Sequence, residues 1–168
     1  IIDHVVIAKG GFTGGSCDLY LLYGNATVTN SQLGSSEDSG VCLDHGSTLV
    51  MTDTQLTNNQ EYAIDVIDAG AIFILDNLTA TGNMSDTIGV EGGTLVGNHT
   101  WYKSGIDTYD LFYGAVTVAP TGTLNIESAA ALGTGTKSVE LTTGLGSLLL
   151  DGANISIPSS VTFNTSGE

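Results

Sequence analysis

The chain has no arginine and only three lysines, Lys9, Lys103 and Lys137, against 18 carboxylates, for a formal charge of −15. A surface so poor in cations repels phosphate backbones and anionic lipid, which argues against nucleic acid and membrane surfaces as partners. Long apolar runs are also missing. Asp and Gly interrupt every stretch well before the roughly 18 residues that a membrane helix needs, so no membrane insertion is expected. Nowhere do apolar residues keep the i, i+3, i+4, i+7 spacing long enough for a substantial helix; the best short stretch, Glu127–Leu132, ends at Gly133. There is no CxxC and no Cys/His cluster, so a zinc site is not expected. The nucleophile elbow, the Walker loop and the dinucleotide fingerprint are absent, and His4, His45 and His99 stand alone rather than in a metal or triad spacing. The chain opens at Ile1 without a signal-peptide pattern and reads as a mature or excised product.

What remains is composition suited to strands and turns. Only two prolines accompany 23 glycines, with abundant Thr, Ser and Asn, and 168 residues are enough to bury a core in one domain, 1–168. The carboxylate excess serves solubility in salty or exposed surroundings, or reflects a need for divalent cations.

The glycines carry a repeat. Leu21-Leu22-Tyr23-Gly24, Leu43-Asp44-His45-Gly46, Ile67-Asp68-Ala69-Gly70 and Val90-Glu91-Gly92-Gly93 share an apolar residue three before the glycine and an alternating strand after it. Gly122 and Gly146 continue the series, giving spacings of 22, 24, 23, 29 and 24, about one solenoid coil each. Two and four places after each glycine come Ala26 and Val28, Thr48 and Val50, Ile72 and Ile74, Leu95 and Gly97, Leu124 and Ile126, Leu148 and Leu150. Period-two alternation sends each pair to one face, which in stacked coils becomes an interior column. The same register predicts that Leu49, Met51, Phe73, Leu75 and Val96 point outward as an apolar patch, a candidate interface for self-association. Asn59 and Asn83, each 13 residues after a repeat glycine, are placed to stack as a turn column. The predicted fold is all-β, a right-handed parallel β-helix of about six or seven coils.

The segment Gly114–Ile126, with Gly122-Thr123-Leu124 at its centre, runs on to Ala131-Leu132-Gly133-Thr134-Gly135 and the strands Val139–Leu141 and Leu148–Gly152. Over these last 55 or so residues the chain resembles the passenger-associated repeat of bacterial autotransporters. The resemblance implies a parallel β-helix exposed on a cell surface, commonly an adhesin scaffold. The two cysteines and missing arginine depart from it and fit a solenoid of another envelope polymer, such as a sheath or surface layer.

Cys17 and Cys42 lie 25 residues apart, close to one coil, but seven and four places before their glycines. An intrachain disulfide, a bridge between molecules and two free thiols all remain open. Asp44, Asp68 and Glu91 fall two places before repeat glycines, as a solvated turn edge or a calcium-binding column. Six Asn-x-Ser/Thr sequons, at Asn25, Asn77, Asn83, Asn98, Asn154 and Asn164, are candidate glycosylation sites. The long coil between Gly93 and Gly122 holds Trp101, Tyr102, Tyr109, Phe112 and Tyr113, which either stack on sugar rings or cover one face of the solenoid. Carboxylate pairs suited to sugar chemistry occur at Asp65 with Asp68 and Asp107 with Asp110. A uronate lyase also needs cations, which are scarce here.

Together these readings point to a non-enzymatic, extracellular cell-surface or envelope protein, displayed like an adhesin or self-assembled into a sheath, layer or fibre. It binds copies of itself and, as further partners, a surface glycan or host protein. A carbohydrate-binding or carbohydrate-cleaving β-helix is the alternative.

Overall fold

A computed structural model describes residues 1–8, 17–102, 104–106, 108–113, 116–119 and 122–127, with the backbone alone of strands 137–141, 147–150 and 161–165. Every strand ladder in it is parallel. Short strands stack into a β-solenoid of about 5 turns, slightly fewer than the six or seven expected, with no helix among the described residues.

Three sheets run up the first coils. The first holds Ile2–Asp3, Asn25–Thr29, Thr48–Thr52 and Ile72–Asp76; the second holds Val6–Ala8, Gln32–Gly34, Gln55–Thr57 and Thr79–Thr81. The third continues one strand further, with Leu19–Leu21, Val41–Leu43, Tyr62–Val66, Ser85–Val90 and Tyr109–Leu111. Two later sheets follow. The fourth joins Gly93–Leu95, Val116–Val118, Lys137–Leu141 and Val161–Thr165; the fifth joins Asn98–Trp101, Thr123–Ile126 and Ser147–Leu150.

Corners are made by single residues with positive φ. Between the first and second sheets these are His4, Asn30, Asp53 and Asn77, all with φ between 48° and 52°. Asn and Asp tolerate this left-handed conformation better than other side chains. Their side chains also join coil to coil: Asn30 Nδ2 donates to Asp3 Oδ1 at 3.1 Å, and Asn77 Nδ2 to Asp53 Oδ1 at 2.5 Å. The predicted asparagine column sits at another turn, where Asn59 Nδ2 donates to Asn83 Oδ1 at 2.8 Å and Asn59 Oδ1 accepts from Ser36 N at 3.1 Å.

The core corrects the glycine register. Ala26, Leu49 and Phe73 are in register, as are Val28, Met51 and Leu75. Val28, Leu49 and Met51 are 0% exposed, Phe73 7% and Leu75 3%. Ile72 and Ile74, expected inside, are 50% and 46% exposed. The slip arises at the first repeat. The strand starts directly after Gly24, whereas Ser47 and Ala71 intervene after Gly46 and Gly70. Tyr23, with φ 53°, makes the corner that Gly46 makes with φ 63° one coil later. The residue in step with Gly46 is thus Tyr23. Leu49, Met51, Phe73 and Leu75 therefore form the interior, not an outward interface; of that set, Val96 alone is exposed, at 68%. After Gly93 and Gly122 the expected pattern does hold, with Leu95, Leu124 and Ile126 buried.

The other interior columns are aliphatic: Leu33 and Leu56 in the second sheet, and Val41, Leu43, Ile64, Val66, Ile88 and Val90 in the third. Above them the column turns aromatic. Tyr109 stacks on Trp101 with centroids 4.9 Å apart and planes at 7°, and on Phe73 at 6.2 Å.

Candidate functional site

Inward alternation in the third sheet leaves the intervening residues facing out. The ladder puts Tyr20, Cys42, Asp65, Gly89 and Asp110 in one outward column. Adjacent strands are about 4.8 Å apart, so consecutive positions in the column are neighbours.

Cys42 is joined to Cys17 by a disulfide, with Cα atoms 5.8 Å apart. Cys17 precedes Leu19–Leu21 by two residues, so its sulfur reaches along the strand direction to a partner one coil away. That explains why the two cysteines occupy different places in the repeat. A disulfide belongs to an oxidising compartment.

Beyond Asp65 the column is roofed by aromatics. The ring of Tyr62 stacks on Phe112 at 4.8 Å, and Phe112 meets Tyr113 edge-on at 6.2 Å. Gly89 is what lets the rings lie down: a Cβ there would be 2.9 Å from Tyr62 Cγ and 3.0 Å from Phe112 Cε1. Tyr62 donates its hydroxyl to Asp110 Oδ2 at 3.2 Å. Burial and the Asp110 charge push its pKa up to about 12, so it stays a donor.

Asp65 is the unusual group. It is 5% exposed, and its Oδ1 is buried without a hydrogen-bond partner. Burial, and then the charges of Glu91, Asp38 and Glu61, push its pKa up to about 7. Glu91 and Glu61 are raised as well, each by partial burial first and then by neighbouring carboxylates. None of the residues with described side chains is a lysine or arginine.

The expected acidic column is not a single set. Asp44 accepts the Tyr20 hydroxyl at 2.6 Å and the His45 amide at 2.7 Å, and pairs with the His45 ring. Asp68 caps its own turn through Gly70 N at 2.9 Å. Asp44 and Asp68 are thus committed to local bonds, and the charge of Glu91 acts on Asp65. The suggested pairing of Asp65 with Asp68 is not formed as a hydrogen-bonded unit, and Asp107, the expected partner of Asp110, lies outside the described residues. Cys17, Cys42 and Asp38 form the one group of three metal-ligand types within 4.8 Å among the described residues, and its sulfurs are in the disulfide.

The aromatics of the long coil divide by position. Trp101 and Tyr109 are core, 2% and 0% exposed, so of the two expectations they meet the covering one and not ligand contact. Phe112 and Tyr113 are exposed on the third-sheet face, while Tyr102 is half-buried beside a cleft of about 290 Å³ between Ile72–Ile74 and Asn98–Thr100. Among the sequons, Asn25, Asn77 and Asn98 are exposed. Asn83 is held by the Asn59 ladder, by Leu56 O at 2.9 Å and by Asp86 Oδ1 at 2.8 Å, so its amide is already in use. Asn154 and Asn164 lie outside the described side chains. Tyr62, Asp38 and Glu61 were not anticipated as site residues; only the register that places Asp65 between Cys42 and Gly89 brings them together.

Compared with known proteins, the chain matches no family model, no curated protein and no solved structure.

Proposed function

We propose that this chain is a non-catalytic, extracellular structural β-solenoid of a cell surface or envelope, displayed like an adhesin passenger or assembled into a sheath, layer or fibre. The observation that carries this reading is where the polar side chains are used. Asp3 with Thr29 and Asn30, Asp53 with Asn77, Tyr20 with Asp44, and Asn59 with Asn83 each tie one coil to the next. Such chemistry is spent on joining coil to coil, which suits a structural solenoid. The disulfide between the first coils supports an extracellular setting. For contacts between copies, the uncovered apolar groups include Ile72, Ile74 and Val96, not the buried set expected from the glycine register. The autotransporter resemblance belongs to this proposal alone, and most of the segment carrying it lies outside the described side chains. Negative-stain microscopy of the purified protein, with immunolabelling of intact cells, tests the reading: filaments, sheets or surface label support it, and a cytoplasmic monomer contradicts it.

A second reading, carbohydrate binding, is favoured by the Tyr62–Phe112–Tyr113 group beside Asp110, since aromatic rings next to a carboxylate suit the apolar face and hydroxyls of a sugar. Asp65 is too buried to reach a glycosidic oxygen. A glycan array tests this reading; retention lost in Phe112→Ala supports it, and no retained glycan dismisses it.

A further inference from the structure

Tyr62 lies across three strands of the third sheet. It belongs to Tyr62–Val66, yet its ring takes the place that a side chain on Gly89 would fill, one coil on, and its hydroxyl reaches Asp110, in register with Gly89 a further coil away. Phe112 stacks on the same ring at 4.8 Å. Gly89 is also in register with Asp65, so the two rings sit immediately beside that carboxyl. Asp65 is left 5% exposed, and its Oδ1 has no hydrogen-bond partner. A neutral acid tolerates such a place; an ionised carboxylate there lacks the water or donors that its charge requires. The neighbours make ionisation harder still. Cys42, in register on the other side, is tied up in the disulfide, and Glu91, Asp38 and Glu61 bring further negative charge. Of the other titratable neighbours, Tyr62 holds its proton to about 12, and Asp110 accepts its hydroxyl at 3.2 Å.

We propose that Tyr62 is an acid-closed strap, which lies down beside Asp65 while that carboxyl is protonated and lifts, with Phe112, when the carboxyl ionises and takes up water. The strap is held by one ring stack and one hydroxyl bond, both on the outer surface. The strand beneath it stays in place, because Tyr62–Val66 is paired through its backbone on both sides. Proton balance sets the direction. Burial, and then the charges of Glu91, Asp38 and Glu61, push the closed-state pKa of Asp65 up to about 7. With the strap lifted and water admitted, it falls toward the ordinary value of about 3.9. Closing therefore takes up a proton and is favoured in acid. Between these two values each pH unit shifts the balance toward the lifted state by about tenfold. Above about 7 both states are ionised and the shift levels off. Tyr62 keeps its own proton throughout this range, so Asp65 is the group that moves it.

The test is hydroxyl-radical footprinting of the purified full chain from pH 5 to pH 8 at constant ionic strength, read residue by residue by mass spectrometry. Tyr23, 74% exposed and on another turn, serves as the internal reference. Labelling of Tyr62 and Phe112 relative to Tyr23 should rise about threefold or more over that range, with strand content by circular dichroism unchanged. Asp65→Asn cannot ionise and should keep the low labelling at both ends. Glu91→Gln removes one of the charges that hold the Asp65 proton, so the rise should persist and move to lower pH; this arm stands even if Asp65→Asn fails to fold. Asp53→Asn removes a charge at a distant corner and should leave the rise where it is. Labelling of the parent that is flat across the range overturns the proposal. So does a rise that persists in Asp65→Asn, or one that Glu91→Gln moves no further than Asp53→Asn does.

Discussion

At the scale of single residues, the decisive fact is which of two adjacent apolar side chains faces in. Leu49 and Ile74 look alike in the sequence, yet Leu49 has no exposed surface and Ile74 is about half exposed. Leu49→Ala should therefore cost roughly 2–5 kcal/mol through the cavity it leaves. Ile74→Ser should change stability by less than about 1 kcal/mol. Urea unfolding of the two variants checks the register, and the reverse order contradicts it. Asp65 gives a second residue-scale expectation. Its folded pKa, about 7, lies above the ordinary value of about 3.9. Between those values the folded chain keeps a proton that the unfolded chain has lost, so stability falls as pH rises through the window. At roughly 1.4 kcal/mol per unit, the loss from pH 4 to pH 8 is on the order of a few kcal/mol. Asp65→Asn should flatten it. Glu91 and Glu61, whose carboxyls are also raised by partial burial and neighbouring charge, add to the slope.

At the scale of the coil, strand and turn were legible in the sequence and the inward face was not. Alternation and the 22- to 24-residue period gave the parallel solenoid, because one period of strand and turn closes one coil. The register failed because glycine is only one of the residues that make the corner. Tyr23 occupies the place of Gly46 with the same positive φ, and residue type alone does not announce that. A better marker was present in Asn30, Asp53 and Asn77, whose spacings of 23 and 24 residues follow the true coil. The asparagine column was readable because both members sit 13 residues after glycines that are themselves in step. Asn59→Ala tests how much that column holds. It removes the acceptor for Ser36 N and the side-chain donor to Asn83, which keeps only the bond from Asn59 N, and should cost about 1–3 kcal/mol by urea unfolding. The candidate site was the least legible part. Nothing in the sequence around Tyr62, Asp65 or Gly89 marks them as neighbours of Asp38 or Phe112; only stacking three coils does so.

At the scale of the molecule, the solenoid is held by rungs between successive coils, with one covalent tie between the first of them. The Cys17–Cys42 disulfide closes a loop with a sequence separation of 25, for which a stabilisation of about 2–4 kcal/mol is expected. The Cys17→Ser, Cys42→Ser double variant should lose that amount in denaturant while keeping its strand content by circular dichroism. Equal stability with and without reductant contradicts the assigned pairing. The central claim, that the solenoid is a structural element which associates with copies of itself, is tested most directly by sedimentation velocity and negative-stain microscopy of the purified chain across a concentration series, alongside Ile72→Asp with Ile74→Asp. The account expects elongated particles that grow into larger assemblies in the parent and stay single in the variant. Particles that remain single and compact at every concentration, in parent and variant alike, contradict it.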